Sequence, residues 1–321
     1  MPKIQKFLFI ALTIFIIIFP IWYFAMGPSE SLPGAAYNKA ENAIWLEHEW
    51  VEKNRTTAQI GALVSNFGAH KIKYVFVHSG PIEPDGTIPP QRYSRAVEFL
   101  KTARMYGDKI QYLAWIGQVR SKLNLAEPEV RFRLVKTSRI LAEEIGFDGI
   151  HYDIEPIYEK DSDIEALLES TKTAIGNAKI LSVAVNEMMP DLSRRIFKLW
   201  AKTAAPLTEE TFVNIARHVD QIAVMTYENS LHSPWLYRYF LKNEIIWLTR
   251  AIDEPKILIG IPTYEKGIDP NAENIENGLA GIIAGLQNTR SNKESFLGVA
   301  IYLNKETSKE EWGTYDKLWI R

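Results

Sequence analysis

The sequence predicts a single (β/α)8 barrel, an α/β fold, preceded by one apolar N-terminal segment of membrane-spanning length. Three observations carry that expectation. Eight short apolar runs of β type recur along the chain, and stretches with helical spacing lie between them. No glycine-rich phosphate loop succeeds the first run, as a doubly wound sheet would require. The chain has 321 residues, 46% of them hydrophobic, which suits one barrel with a large core.

The apolar segment comes first. Lys3 and Lys6 precede an apolar run over residues 7–26, in which Pro20 is tolerable in a membrane helix. Twenty residues at helical rise span roughly 30 Å, one hydrocarbon core. The run is longer than a cleaved signal needs, and no small-x-small cleavage site comes after it. Lysines ahead of the run place the remainder of the chain outside the cytoplasm. The expectation is an uncleaved signal anchor over residues 1–30 and an extracytoplasmic barrel over 31–321 in the cell envelope; cleavage would leave a secreted barrel. Residues 27–43, small and polar with Pro and Gly, read as a linker.

The predicted strands cover residues 43–51, 73–79, 109–117, 148–155, 179–187, 221–228, 256–265 and 296–304. Helical spacing is clearest over 127–146 and 207–219, and the latter opens on Thr208 with two glutamates in its first turn. No repeat, low-complexity tract or second domain is present.

Composition excludes several classes. With no cysteine, disulfide scaffolds, lipid-anchoring cysteines and thiol catalysis are ruled out. A formal charge of −2 without a basic run past the N-terminus argues against nucleic acid. Nine Trp and fourteen Tyr suit core packing or stacking platforms for sugar rings. The sequon Asn54-Arg55-Thr56 comes just after the first strand, where a glycan would crowd the mouth; that leans toward a bacterial source in which it occurs by chance.

The chemistry concentrates in residues 146–156, GFDGIHYDIEP. Strand parity puts His151, Asp153 and Glu155 on one face, with Glu155 nearest the C-terminal end, where barrel enzymes keep their active sites. Cα atoms two apart on a strand are roughly 6.6 Å apart, so the two carboxyls are neighbours. Each resists ionisation beside the other, and a glutamic acid kept protonated near neutral pH is what a general acid requires. The plain alternative is a buried salt bridge, yet strands two to eight end in His, Gln, Asn, Tyr and Glu rather than in basic residues.

DGIHYDIE resembles the DGxDxDxE signature of family-18 glycoside hydrolases, the chitinases and their relatives. QIAVMTYE is similar to that family's sixth strand, with Met225 and Tyr227 in place; KILIGIPTYE is similar to its seventh and GVAIYLN to its eighth. The resemblance covers roughly residues 43–321 and implies a glycosidase acting on an oligo- or polysaccharide, favouring one that contains N-acetylglucosamine, with no metal or other cofactor. It implies Glu155 as proton donor, Asp153 as the acid that orients the substrate's 2-acetamido group and Tyr227 as its hydrogen-bonding partner. The nucleophile would be the substrate's own amide. His151, Met225, Glu228 and Tyr264 are expected to bind the sugar. So are Glu265, Tyr302, Trp115 and Glu49.

Departures from the family are specific. His151 stands where it has its middle Asp, Glu228 where it has Asp, and Tyr302 where a Trp floors the sugar site. Strand three keeps only Gly117 of Ser-x-Gly-Gly. Three other readings stay open: a retaining glycosidase with Glu155 as acid and Glu265 as nucleophile, a catalytically silent carbohydrate-binding barrel, and a metal hydrolase built on His48, His78, His151 and Asp153. No local metal-ligand spacing supports the last.

Overall fold

The structure is a computed structural model that describes residues 34–190, 194, 206–229 and 231–321. The predicted apolar segment at 7–26 lies outside the described residues. Among those residues no helix is long and apolar enough to cross a membrane.

Eight parallel strands close into a barrel in sequence order. They are β1 (Asn42–Leu46), β2 (Ile72–Pro81), β3 (Gln111–Val119), β4 (Gly149–Glu155), β5 (Ile180–Val185), β6 (Gln221–Met225), β7 (Ile257–Pro262) and β8 (Phe296–Tyr302). Around them run α1 (Glu49–Glu52), α2 (Thr57–Ala69), α3 (Ala96–Tyr106), α4 (Pro128–Arg139), α5 (Ser162–Ile175), α6 (Glu209–His218), α7 (Pro234–Ala251), α8 (Ile275–Gln287) and α9 (Lys309–Tyr315). Alternation along each strand splits the core into two layers. Ile44, Val75, Ala114, Ile150 and Tyr152 pack outward against the helices. Trp45, Phe76, Leu113, Trp115, Leu258 and Ala300 fill the barrel interior. All of these are withdrawn from water, the largest favourable contribution to folding.

The helix starts obey capping chemistry. Thr56 and Ser308 each close a capping box with Gln59 and Glu311. Thr208 accepts the Thr211 N–H at the head of α6, so the helix expected over 207–219 forms over Glu209–His218. The one expected over 127–146 runs as α4 and continues in a wider turn over Ile140–Ile145.

One expectation fails locally. Alternation predicts a first strand reaching residue 51, but β1 stops at Leu46 and Glu49–Glu52 forms a helical turn. WLEHEWV alternates like a strand, yet its polar side chains pair at a spacing of four: His48 with Glu52 at 3.4 Å and Glu49 with Lys53 at 3.0 Å. That spacing joins neighbours on a helix, not on a strand. The fifth, sixth, seventh and eighth strands also end two or three residues early, so Tyr227, Glu228, Tyr264 and Glu265 lie in loops at the mouth.

The seam between β1 and β8 is short, with Ala43 opposite Ala300 and Ile44 opposite Ile301. Buried Asn42 reinforces it: Oδ1 accepts the Val299 N–H at 3.2 Å and the Trp319 indole N–H at 2.9 Å. The C-terminal residues are thereby fastened to the barrel floor, opposite the mouth.

Candidate active site

The mouth is built around β4. In register, Trp115 of β3 lies opposite His151, Gly117 opposite Asp153 and Val119 opposite Glu155. Glu155 is therefore one pleat nearer solvent than Asp153, and both are half-buried. Glycine at 117 permits this approach, since a Cβ there would lie 2.6 Å from the Asp153 carbonyl oxygen. The loop after Glu155 is braced by a buried ion pair, Arg120 Nη1 to Asp161 Oδ2 at 2.7 Å, with Asp161 also capping α5.

Asp153 Oδ2 accepts the Trp115 indole N–H at 2.8 Å. Its Oδ1 is buried and has no hydrogen-bond partner among the described residues, and the Asp153 and Glu155 carboxyls are close enough to interact. Burial pushes the Asp153 carboxyl up, while contacts with Glu155 and the Trp115 N–H pull the other way. Burial, and after it the charge of Asp153, raises Glu155 well above the carboxylate range; Glu228 and Glu187 add smaller pushes in the same direction. This arrangement keeps a proton on Glu155 near neutral pH.

His151 shares the inward face but not the cleft. It is fully buried, stacked on Phe76 at 3.7 Å. Indole is a donor only, so the Trp45 N–H, 3.2 Å away, requires His151 Nε2 to accept. The ring proton then sits on Nδ1, which donates to Ser182 Oγ at 2.8 Å. Burial holds the ring neutral, its pKa lowered to about 3. The expected substrate contact at His151 is therefore corrected: with no exposed surface and both nitrogens engaged, it supports the wall.

Glu49 is a second correction. Its carboxylate is half-exposed on α1 and paired with Lys53 at 3.0 Å and Arg55 at 2.9 Å. The inward-facing acid after β1 is Glu47, which accepts the Lys305 backbone N–H at 2.5 Å.

The remaining candidates converge. Tyr302, ending β8, stacks on Tyr227 at 5.4 Å and meets Trp45, Tyr264 and Trp115 edge-on at 5.4, 5.4 and 6.2 Å. Met225, half-buried, ends β6 below Tyr227. Glu228 accepts the Tyr264 hydroxyl at 2.7 Å and donates its own backbone N–H to Glu273 at 2.6 Å. Its φ of 59° is costly for a residue with a side chain, and those two bonds hold it. Glu228, Tyr264, Glu265, Glu273 and Tyr302 line a cleft of ≈ 880 Å³ over the C-terminal ends of β7 and β8; Tyr302 and Glu228 link it to the β4 carboxyls, whose charges they share. Glu265 is exposed there and is not among the acids whose charge reaches Glu155.

Sequence reasoning missed Trp45, Glu47, Glu187 and Glu273. Parity along β1 marks Trp45 as inward, and Glu187 lies just past the end of β5, but Glu273 arrives from a loop far along the chain with no local signal. Among the described residues no group of three or more His, Asp or Glu side chains is placed to hold a metal ion.

Glu187 carries a testable consequence. Burial, then the charge of Glu273, raises its carboxyl to about 8. A carboxyl with a raised folded pKa adds stability below its unfolded value, and that contribution is lost as pH rises through the folded value. Glu187→Gln is expected to gain stability relative to the parent as pH moves from about 5 to about 9. Urea unfolding at the two values checks this; an equal difference at both contradicts it.

The model of the family described as "Glycosyl hydrolases family 18" matches residues 48–318. No curated protein matches the sequence. Several solved structures share the fold at low identity. The Bacillus cereus spore cortex-lytic enzyme SleL is 12% identical with a TM-score of 0.61, over 87% of this chain and 74% of that one. The class V chitinase from Nicotiana tobaccum in complex with NAG4 is 15% identical with a TM-score of 0.56, over 87% and 98%. The chitinase-like agglutinin of Robinia pseudoacacia is 15% identical with a TM-score of 0.60, over 86% and 99%. With a family model spanning nearly the whole barrel, and the β4 carboxyls at its mouth, the chain belongs to glycosyl hydrolase family 18.

Proposed function

We propose that the protein hydrolyses a glycan containing N-acetylglucosamine, with Glu155 as general acid and the substrate's 2-acetamido oxygen as nucleophile. The observation that carries this reading is the Glu155 carboxyl, held protonated at the mouth end of β4 beside a deeper acid. Glu155 donates its proton to the leaving oxygen. The acetamide oxygen, held close to the anomeric carbon, attacks with the advantage of proximity and breaks the bond to that leaving oxygen; water then opens the cyclic intermediate and returns a proton to Glu155. Asp153 takes the acetamide N–H and stabilises the positive charge that grows on that nitrogen. Tyr227, stacked on Tyr302, holds the acetamide from the β6 side.

One of the similar structures supports an N-acetylated substrate: the Nicotiana chitinase is in complex with NAG4. The lysines and the apolar run at 7–26 support an anchored barrel that meets its glycan outside the cytoplasm. Glu265 as a protein nucleophile has less support, since Asp153, Glu228 and Glu187 are the acids whose charge reaches Glu155.

Incubation with N-acetylglucosamine oligomers is expected to release new reducing ends with turnover. Binding without turnover would reject the hydrolase reading in favour of a sugar-binding barrel, the kind of protein the Robinia agglutinin's name describes.

A further inference from the structure

We propose that Trp115 is a positioning residue that acts through Asp153, holding one carboxyl oxygen so that the other alone faces the acetamide and Glu155. This deepens the reading above and rests on it for its kinetic consequences. An indole N–H donates and never accepts. Its bond to Oδ2, 2.8 Å long, therefore fixes that atom as an acceptor. The carbonyl oxygen of a carboxylic acid is its better acceptor, so a proton on Asp153 is favoured on Oδ1, the atom without a hydrogen-bond partner among the described residues. Trp115 thus sets both the rotamer of Asp153 and the location of its proton.

Nothing beneath Asp153 competes for it. His151, one pleat deeper on the same face, has committed Nε2 to Trp45 and Nδ1 to Ser182. In this chain the inward position two before Asp153 holds a neutral ring with no free donor or acceptor, so Asp153 has no second resting place to turn toward. Trp115 is itself fixed. It is 8% exposed, its ring meets His78 edge-on at 4.6 Å and Tyr302 at 6.2 Å, and its strand lies in register with β4. Low exposure also makes its indole a poor platform for a sugar ring. The groups that share the field of the two carboxyls are Tyr227 from the β6 loop, Tyr302 from β8, Glu228, and Glu187 after β5.

Two arms test this on the purified full-length chain. In the first, the Trp115 indole proton resonance, assigned through its contacts with His78 and Tyr302, is tracked by NMR. It is expected to move with pH as Asp153 titrates and to lose that movement in Asp153→Asn. An indole resonance indifferent to Asp153→Asn overturns the proposal whether or not the protein proves to be a hydrolase. In the second, Trp115→Phe, which keeps a ring and removes the donor, is expected to lower kcat on an N-acetylglucosamine oligomer about ten- to hundredfold with KM unchanged. The same change in an Asp153→Asn background is expected to cost nothing further, because neighbours that act through one group are not additive. A loss in KM alone, or a full loss repeated in the double variant, overturns the proposal. Absence of turnover in the parent would reject the hydrolase reading, and the NMR arm would then decide the role of Trp115 by itself.

Discussion

Glu155→Gln is expected to lower turnover of N-acetylated oligosaccharides by about 10²- to 10⁴-fold while leaving fold and sugar affinity intact. The reason is geometric. Glu155 ends β4, one pleat closer to the cleft than Asp153, so its carboxyl is the one that reaches a leaving oxygen. Burial and the neighbouring Asp153 keep it protonated, and protonated is the form a general acid must have. Glutamine has nearly the same shape and offers hydrogen bonds, but it has no proton to give to the departing sugar. It also removes one of two mutually repelling acids, so no loss of stability is expected. Initial rates together with calorimetric binding of an oligomer separate the two effects. Unchanged turnover would reject both hydrolase readings.

The second large effect belongs to Asp153→Asn. An amide in place of the carboxylate cannot balance the positive charge that builds on the acetamide nitrogen during attack. Asparagine also presents an NH₂ group that clashes with either the Trp115 donor or the acetamide N–H, depending on which way it turns. The expected result is a loss of about 10²- to 10³-fold in kcat on N-acetylated substrates, comparable to removing one preorganised electrostatic partner. Affinity for the substrate should change much less, because the charge it balances exists only on the way to the transition state. Steady-state kinetics give both parameters, and a change carried by KM alone would contradict the role assigned to Asp153.

Much of the fold is legible because a barrel strand is written in local code. Each β-run is short, apolar and bounded by polar residues, and parity along GIHYDIE puts His151, Asp153 and Glu155 inward while Ile150, Tyr152 and Ile154 pack on the helices. The β1 error has the opposite cause: WLEHEWV alternates, yet polar side chains four apart close a helical turn, and a period of two is ambiguous over so few residues. That error takes Glu49 out of the site, and Glu47 holds the inward place instead.

The site is legible where its chemistry comes from strand ends and hidden where it comes from partners. Nothing local shows that His151 is neutral, since that depends on Trp45 and Ser182 on other strands. Glu273 reaches the cleft from a distant loop and fixes Glu228 through its backbone N–H. The Trp115–Asp153 bond joins two strands, so the sequence contains both residues but does not reveal the pairing.

The central claim, acid catalysis at Glu155 assisted by the substrate's own acetamide, is tested most directly by a matched pair of oligosaccharides that differ only at C2. One carries the acetamido group and the other a hydroxyl. The account predicts that initial rates are measurable on the acetamido member alone and vanish there in Glu155→Gln. Equal rates on both members would contradict it, because a substrate without the acetamide lacks the nucleophile on which the mechanism depends.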